Sequence, residues 1–326
     1  MGDATKVFEV AFMLRVRWDL HSLNNEGIVG NVTEPRTLVL ADGSKTDGIS
    51  GEMLKHLHSY GVWLADPAES DFCPACRRLQ PQRADLPEYR RTFAGLSNVD
   101  TVSAAIKNCV LCDLHGFLIQ TPPVSRRSTV EFGWAVGIPE VYRDIHTHAR
   151  HAAAERTARE ERGKTRGVQQ EEDRSAIDQE EQEEEVSAQM IYHRPTRSGT
   201  YAIVSLFQPW RIGLNEIDYQ YAIDNASRNK RFHLALQAYK HMFQQTQGAM
   251  VSTRLPHVEG MAGVVAISHG NTPVPVLSPL RDDYQKQVED LARRSSLLNV
   301  YPFTSLAELC DIIDETSKLE IYSFRS

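Results

Sequence analysis

The chain opens with an apolar stretch that has the pattern of a central β-strand. Residues Val7–Leu20 begin as a near-continuous apolar run and then alternate, with Arg15 and Arg17 on one face and Val16 and Trp18 on the other. A strand that is covered on both faces is apolar throughout, whereas a half-exposed strand alternates. We therefore predict a long strand that is buried in its centre and half exposed at its end.

A helix is predicted immediately after the Gly/Ser-containing turns that follow this strand. Ser50 is a favourable N-cap, and Met53, Leu54 and Leu57 have the spacing of one buried helix face through about Leu64. Further strands are predicted at about 36–40, 114–120, 128–136, 200–207 and 261–267, and further helices at about 230–245, 281–294 and 305–315.

Two segments interrupt this succession of elements. One is a cysteine-bearing segment between Ala65 and Asn108, which shows little periodicity. The other, Tyr142–Glu185, is almost empty of large apolar side chains after Ile145, so it is expected to be a solvated helix or a mobile loop. Without them the order is strand, helix, paired strands, helix, strand. The predicted fold class is α+β, with a βαββαβ plan and two large insertions.

The composition is that of a soluble globular protein. The 326 residues are 41% hydrophobic, and no apolar run reaches the roughly 20 residues that a membrane helix needs. Met1–Lys6 lacks the basic start of a signal peptide, so we expect a cytoplasmic protein without a membrane partner.

The charge lies mostly in one segment. The formal net charge is −7, but Glu155–Met190 alone holds 12 acidic and 6 basic residues, so the rest is almost neutral. The overall charge therefore gives no support to nucleic-acid binding, and any basic surface must be local.

Four of the five cysteines form two C-x-x-C pairs, Cys73 with Cys76 and Cys109 with Cys112. Such pairs place four thiolates for tetrahedral zinc, here in a region that has little core of its own. Reduced thiols or a thioredoxin-like redox pair are the alternatives. We predict a structural zinc that closes a separate subdomain, because four cysteine ligands leave no open position for a substrate.

Other candidate groups carry weaker signals. His146, His148 and His151 lie close together in the sequence, and His115 is a further candidate, but without a hydrophobic shell they indicate a polar face more than a metal site. Cys310 is expected to lie in a helix core. The sequence has no nucleophile elbow, zincin motif, phosphate-binding loop or spaced acid pair, so no enzymatic activity is predicted.

A Gly/Asn-rich loop is the more suggestive feature. Gly27 and Gly30 permit a close approach to another backbone, and the neighbouring asparagines offer neutral hydrogen bonds. Arg36 and Lys45 add charge, and the helix that begins after Ser50 presents free N–H groups to phosphate. An ordinary turn is the alternative interpretation.

Two runs in this region resemble a known family. Leu23–Arg36, with the sequence LNNEGIVGNVTEPR, and Asp47–His56, with the sequence DGISGEMLKH, are similar to the DevR autoregulator family of CRISPR-associated proteins. These proteins are backbone subunits of type I Cascade complexes. The resemblance is strong over about Lys6–Leu64 and looser as far as Ile267.

The resemblance implies an RRM-like, ferredoxin-like palm whose first loop and first helix hold the backbone of a guide RNA, while a thumb divides the guide. The thumb corresponds to about Ile138–Ser198. Its RNA-contacting part is the basic flank Tyr192–Arg197, because the acidic stretch Glu171–Glu185 has the wrong charge. The RNA-binding residues implied here are Asn24, Asn25, Gly27, Gly30, Asn31, Arg36, Lys45, Ser50, Lys55, His56, Arg194 and Arg197.

The cysteine segment corresponds to a fingers insertion, which indicates the I-A or I-B side of the family. The expected boundaries are 1–65 for the first half of the palm, 66–113 for the zinc fingers, 114–137 for palm strands, 138–198 for the thumb and 199–326 for the second half of the palm with the C-terminal helices.

The resulting functional hypothesis is a non-catalytic Cascade subunit for antiviral defence. It oligomerises along guide RNA (crRNA) through sequence-independent contacts, supports recognition of target DNA, and binds other Cascade subunits. Two alternatives stay open: a zinc-supported nucleic-acid enzyme, and a DNA-binding transcriptional autoregulator. The only candidate recognition helix for a regulator begins at Arg228–Arg231.

Overall fold

The computed structural model describes residues 5–30, 32–65, 71–151, 189–249 and 251–324, without the side chains of 148–151 and 189–192. The strands are β1 Val7–His21, β2 Asn25–Val29, β3 Val32–Pro35, β4 Thr37–Val39, β5 Lys45–Ile49, β6 Phe117–Ile119, β7 Val124–Arg126, β8 Val130–Phe132, β9 Ala135–His151, β10 Gln189–Phe207, β11 Leu214–Asn215, β12 Gln220–Tyr221, β13 His257–His269 and β14 Leu298–Phe303.

The helices and strands follow one another in runs, as expected for an α+β protein. None in the described part of the chain is long and apolar enough to cross a membrane. They are α1 Gly51–Ala65, α2 Pro74–Arg77, α3 Pro87–Arg90, α4 Asn98–Asn108, α5 Val110–His115, α6 Asn225–Gln244, α7 Tyr284–Ala292 and α8 Leu306–Ser317.

The described residues form two compact units. The larger unit contains the described residues of 1–24, 36–142 and 197–326 and is built on a sheet with the strand order β14-β13-β1-β10-β9-β5-β4. Along this path β1 pairs antiparallel with both β10 and β13. The prediction of an α+β fold with β1 as a central strand is therefore confirmed.

Both faces of β1 are buried, which explains its continuous apolar run. Val10, Phe12 and Leu14 face a core that includes residues of α1 and α6, whereas Ala11 and Met13 face a smaller cluster that includes residues of α7. Alternate residues of a strand point to opposite faces, so every position in this stretch must be apolar.

The helices α1 and α6 pack closely on the first of these faces. A Cβ atom at Gly61 of α1 would lie only 2.9 Å from the Cα atom of Ala238 in α6. The α1 backbone can approach α6 this closely because residue 61 has no side chain. This packing holds α1 firmly against the sheet.

The smaller unit contains the described residues of 25–35 and 143–196. Within it, β2 and β3 form an antiparallel hairpin, and β3 meets β10 in a parallel bridge between Val32 and His193. Residues 27–31 were predicted as a loop, but residues 27–29 belong to β2 and Gly30 forms a turn with positive φ.

Three other sequence-based elements need correction. Tyr142–His151 is part of β9, because backbone pairing with β10 allows a strand to form without a buried apolar face. Residues 110–115 are helix α5, and only Phe117–Ile119 of the strand predicted at 114–120 is a strand. Helix α4 was missed, although Ser97 caps it by accepting the Asp100 N–H. The remaining thumb residues, 152–188, lie outside the described residues.

Candidate metal centre and nucleic-acid interface

The two C-x-x-C pairs converge on one point in the interior. The ligand atoms of Cys73, Cys76, Cys109 and Cys112 all lie within 4.8 Å of one another, and all four residues are buried. The Sγ of Cys112 is 3.9 Å from that of Cys73 and 3.8 Å from that of Cys76. A zinc–sulfur bond of about 2.3 Å gives a tetrahedron with edges of about 3.8 Å. The four thiols therefore fit a tetrahedral metal ion.

The two cysteines of each C-x-x-C pair are separated by about one helical turn, so their thiols lie on the same side of the helix. Cys73 precedes α2, whose first residue is Pro74, a residue suited to that position. Cys109 precedes α5, and its Sγ accepts the N–H of Cys112 at 3.3 Å. The local sequence therefore builds both halves of the site with little flexible backbone.

The thiols also influence one another electrostatically. Hydrogen bonds from the thiols of Cys109, Cys112 and Cys76, with the first the strongest, lower the pKa of the Cys73 thiol. The same cluster raises the pKa of the Cys76 and Cys112 thiols, chiefly through their hydrogen bonds with Cys109. The four thiols therefore titrate as one coupled group, in which the thiolate, the form that binds metal, is favoured at Cys73. In the part of the chain that is described, these cysteines are the one His/Cys/Asp/Glu group close enough to hold a metal ion.

The metal centre is continuous with the core of the larger unit. All six residues of α5 are buried, and the cysteines belong to the same apolar cluster as residues of β1, α1 and α6. Asp113 of α5 also accepts bonds from the guanidinium groups of Arg126 and Arg231, the latter at 2.7 Å. The expectation of a separate zinc subdomain is therefore wrong, because the cysteine segment shares its core with the sheet and helices.

A buried histidine pair makes a second connection from α5. His115 and His58 of α1 are hydrogen-bonded with 2.9 Å between Nε2 and Nδ1, and Nε2 of His58 bonds the Ala235 carbonyl oxygen of α6 at 2.9 Å. Burial lowers the pKa of His58 to about 3 and that of His115 well below its usual value. Both rings are neutral at pH 7 and join three helices.

The other histidines of the predicted cluster are not joined to this pair. His146 lies in the smaller unit, where its Nε2 is 3.0 Å from the Thr196 hydroxyl oxygen. The side chains of His148 and His151 lie outside the described residues. Cys310 is half-buried on α8, with its Sγ 3.8 Å from the Gln244 amide nitrogen, so it is less enclosed than predicted.

Two of the predicted RNA-binding side chains fix the start of α1. Asn24 has a positive φ of 51°, and its Oδ1 accepts the Ser50 N–H at 2.7 Å. The Ser50 hydroxyl oxygen accepts the Met53 N–H at 3.3 Å, which confirms its predicted capping role. Both side chains act here by shaping the backbone.

Lys55 and His56 follow on the first turns of α1. The Lys55 ammonium lies 3.7 Å from a carboxylate oxygen of Glu131, with 23% of its side chain exposed. Burial lowers the pKa of Lys55, while Glu131 opposes that shift, and burial also lowers the pKa of His56. Lys55 thus reaches the surface beside one acidic partner, and His56 is half-buried.

Arg36 and Lys45 flank the β4–β5 hairpin, which leads directly into α1. The Arg36 guanidinium lies over the indole of Trp134, 5.6 Å from the ring centre. Lys45 is exposed on β5. Among the described residues neither forms an ion pair, and the carboxylates of Glu131 and Asp47 pair with Lys55 and Arg197 instead.

The residues of the β2–β3 hairpin belong to the smaller unit. Gly27 and Gly30 have open space where a side chain would stand, and Gly30 has a positive φ of 62°. Asn25 lies at the start of β2, while Asn31 falls outside the described residues. Arg194 is half-buried in β10.

Arg197 was placed on the RNA-contacting flank, and the structure contradicts that position. The residue is 1% exposed, and its guanidinium bonds a carboxylate oxygen of Asp47 at 2.7 Å and the Leu23 carbonyl oxygen. A buried carboxylate needs this partner, so Arg197 is a core residue. A basic residue within an Arg-rich run gave no sequence signal of burial.

Sequence reasoning also missed Trp134, which is 39% exposed beside Arg36. The residue lies between β8 and β9, almost a hundred positions from Arg36 in the sequence. Only the fold brings the two together.

Comparison with solved structures finds chains of similar fold. A chain of a CRISPR RNA-guided surveillance complex in a pre-nicking state is similar over 95% of this chain and 99% of that chain, with a TM-score of 0.51 and 10% identity. A second CRISPR RNA-guided surveillance complex gives a TM-score of 0.49 with 11% identity, over 95% and 98% of the two chains. At such identity the likeness concerns the fold. No curated protein sequence matches.

The sequence itself matches a family model over residues 12–289, which is most of the chain and includes both runs that carried the resemblance. This match confirms the predicted family. The protein belongs to the CRISPR-associated negative auto-regulator family DevR/Csa2.

Proposed function

We propose that the protein is a non-catalytic, RNA-binding backbone subunit of a Cascade-type complex, several copies of which assemble along one guide RNA with other Cascade subunits. The observation that carries this proposal is the family match over residues 12–289. The fold likeness to a chain of an RNA-guided surveillance complex supports it. The subunit would support recognition of target DNA by holding the guide RNA so that its bases can pair with the DNA.

We infer that the larger unit contains an RRM-like palm. Its support is the strand order β13-β1-β10-β9, in which the fourth strand of a βαββαβ plan lies beside the first and the third beside the second. The helices α1 and α6 occupy the two helix positions and pack on one face. The cysteine segment and the outer parts of β9 and β10 are then the fingers and thumb insertions.

The proposed RNA grip consists of the α1 start with the cations around it. Asn24 and Ser50 hold the first turn of α1 in place, and free N–H groups at a helix start favour an anion. Arg36, Lys45 and Lys55 supply positive charge, in a protein whose net charge is negative. Contacts of these kinds reach phosphates and carry no base information, which suits guides of any sequence.

The four-cysteine centre is proposed to hold a structural zinc. Four thiolates saturate tetrahedral zinc, so the ion would have no position for a substrate. Its proposed contribution is to hold α2 and α5 in the core, and α5 in turn contacts α1 through His115 and His58. This role supports a binding protein more than a zinc enzyme.

The alternative hypothesis of a DNA-binding regulator depends on a recognition helix at the start of α6, and the structure uses the basic side chains there within the fold. At the start of α6, Arg228 and Arg231 are buried, and Lys230 forms an ion pair with Asp71 at 2.5 Å. Phe232 of the same helix is in the core, as predicted. The two buried arginines hold the helix in the fold, so they cannot also read base edges in a DNA groove.

A mass measurement on the purified protein tests the proposed function. With guide RNA of increasing length, we expect complexes whose mass rises in steps of one 36.8 kDa chain, and without RNA no such series. A protein that forms no RNA complex, and instead binds one duplex DNA sequence in preference to others, would contradict the proposal and favour the regulator.

A further inference from the structure

Trp134 lies beside the proposed RNA grip and has no role in the core. It occupies the short link between β8 and β9, with 39% of its surface exposed. The backbone at Gly51 passes so close to the Phe132 carbonyl that a Cβ at position 51 would clash with it. On the other side of Trp134, Ala135 pairs with Ile49. The indole is therefore held next to the residues that begin α1.

The ring also lies beneath a cation that no described carboxylate neutralises. The Arg36 guanidinium lies 5.6 Å from the indole centre, in a cation–π arrangement that fixes the two groups together. The Nε of Arg36 is buried without a hydrogen-bond partner among the described groups. An exposed aromatic ring with an adjoining positive charge has the two components that single-stranded nucleic acids need, a surface for a base and a contact for a phosphate.

Trp63 is another exposed tryptophan, but its ring has partners within the fold. Trp63 is 36% exposed, but it stacks on Tyr60 with 5.7 Å between the ring centres. Its Nε1 also donates to the Arg77 carbonyl oxygen at 3.1 Å. Trp63 therefore packs at the C-terminal end of α1, away from the residues that begin this helix, which makes it a matched control for Trp134.

We propose that the exposed part of the Trp134 indole stacks against one nucleobase of bound single-stranded RNA while Arg36 contacts the neighbouring phosphate. This inference rests on the proposed RNA-binding function and adds a base-stacking residue that the family resemblance did not supply. Every base has a π-face, so stacking here strengthens binding without selecting a guide sequence.

Tryptophan fluorescence tests the contact directly, since a stacked base changes the emission of the ring that it covers. The chain has four tryptophans, and the variants replace Trp134 or Trp63 one at a time. Binding of a single-stranded RNA should quench the wild-type emission. The quenching should persist in Trp63→Phe and be largely lost in Trp134→Phe. Equal quenching in both variants would overturn the proposal.

Affinity provides a second measurement. Trp134→Ala should weaken RNA binding about 5- to 150-fold, and Trp134→Phe much less, because a phenyl ring still stacks. An RNA with abasic sites throughout should bind the wild type more weakly and should bind Trp134→Ala and the wild type alike. Circular dichroism of each variant confirms that it is folded.

The outcomes separate this inference from the proposed function. If wild-type protein binds no RNA, the proposed function itself fails. If wild type and Trp134→Ala bind RNA equally, only the stacking inference fails. Unchanged RNA affinity with loss of assembly between protein copies would show that Trp134 docks a protein instead.

Discussion

Loss of one cysteine ligand should destabilise the whole larger unit. In Cys112→Ser, the metal that we propose loses a ligand, so it no longer ties α5 to the Cys73–Cys76 turn. The same helix buries Val110, Leu111 and Leu114, and burial of each such side chain is worth about 1.5–3 kcal/mol. Displacing α5 would thus cost about 5–9 kcal/mol, comparable with the total stability of an ordinary domain.

The displacement should extend to α1, because His115 bonds His58 and Asp113 bonds Arg231 of α6. Hydrogen exchange measures this directly. In Cys112→Ser, amides of α1 and α6 should exchange much faster than in the wild type, and metal analysis should show loss of about one zinc per chain.

Cys310→Ser is the control, since that cysteine lies outside the metal cluster. It should leave both exchange and metal content unchanged. Wild-type protection of α1 in Cys112→Ser would refute the argument, because it would mean that the cysteine segment unfolds on its own.

Three further predictions follow from buried or charged groups. Arg197→Met should lower the free energy of unfolding by about 3–5 kcal/mol in urea titrations, because it leaves Asp47 buried without its cation. Unchanged stability together with lost RNA affinity would contradict this and favour Arg197 as an RNA-contacting residue. Because His58 has a folded pKa of about 3 against about 6.5 when unfolded, the unfolded state takes up a proton as the pH falls below 6.5. Stability should drop by about 2 kcal/mol by pH 5, and this drop should be smaller in His58→Gln, whereas an identical pH dependence in both would contradict the assignment. Deletion of 163–185, which lies outside the described residues, should leave the thermal unfolding temperature and RNA assembly unchanged, and an insoluble or assembly-deficient variant would contradict this.

The periodic parts of the fold could be predicted from the sequence. The apolar run of β1 and the capped, amphipathic α1 carry strong local signals, and their predicted bounds agree with the structure within one or two residues. Helix α5 overlaps the strand predicted at 114–120, because a short buried segment has a similar pattern in a helix and in a strand. Its helical form follows from the capping thiol of Cys109.

The candidate sites were predictable to different degrees. Two C-x-x-C pairs at any distance in the sequence suggest a metal, and the structure brings their thiols together. The interface depends on which basic side chains stay at the surface. Arg197 and Arg36 look alike in the sequence, but only tertiary pairing decides that Arg197 is buried against Asp47 and that Arg36 lies over Trp134.

The central claim is sequence-independent RNA binding, and a salt-dependent titration tests it most directly. Two single-stranded RNAs of equal length and unrelated sequence are titrated with the protein over a series of salt concentrations. We expect equal affinities and a steep fall of log K with log salt, with the slope reduced by roughly one unit or slightly less in Lys55→Ala. A strong preference for one RNA sequence, or a slope that is the same in Lys55→Ala as in the wild type, would contradict the account.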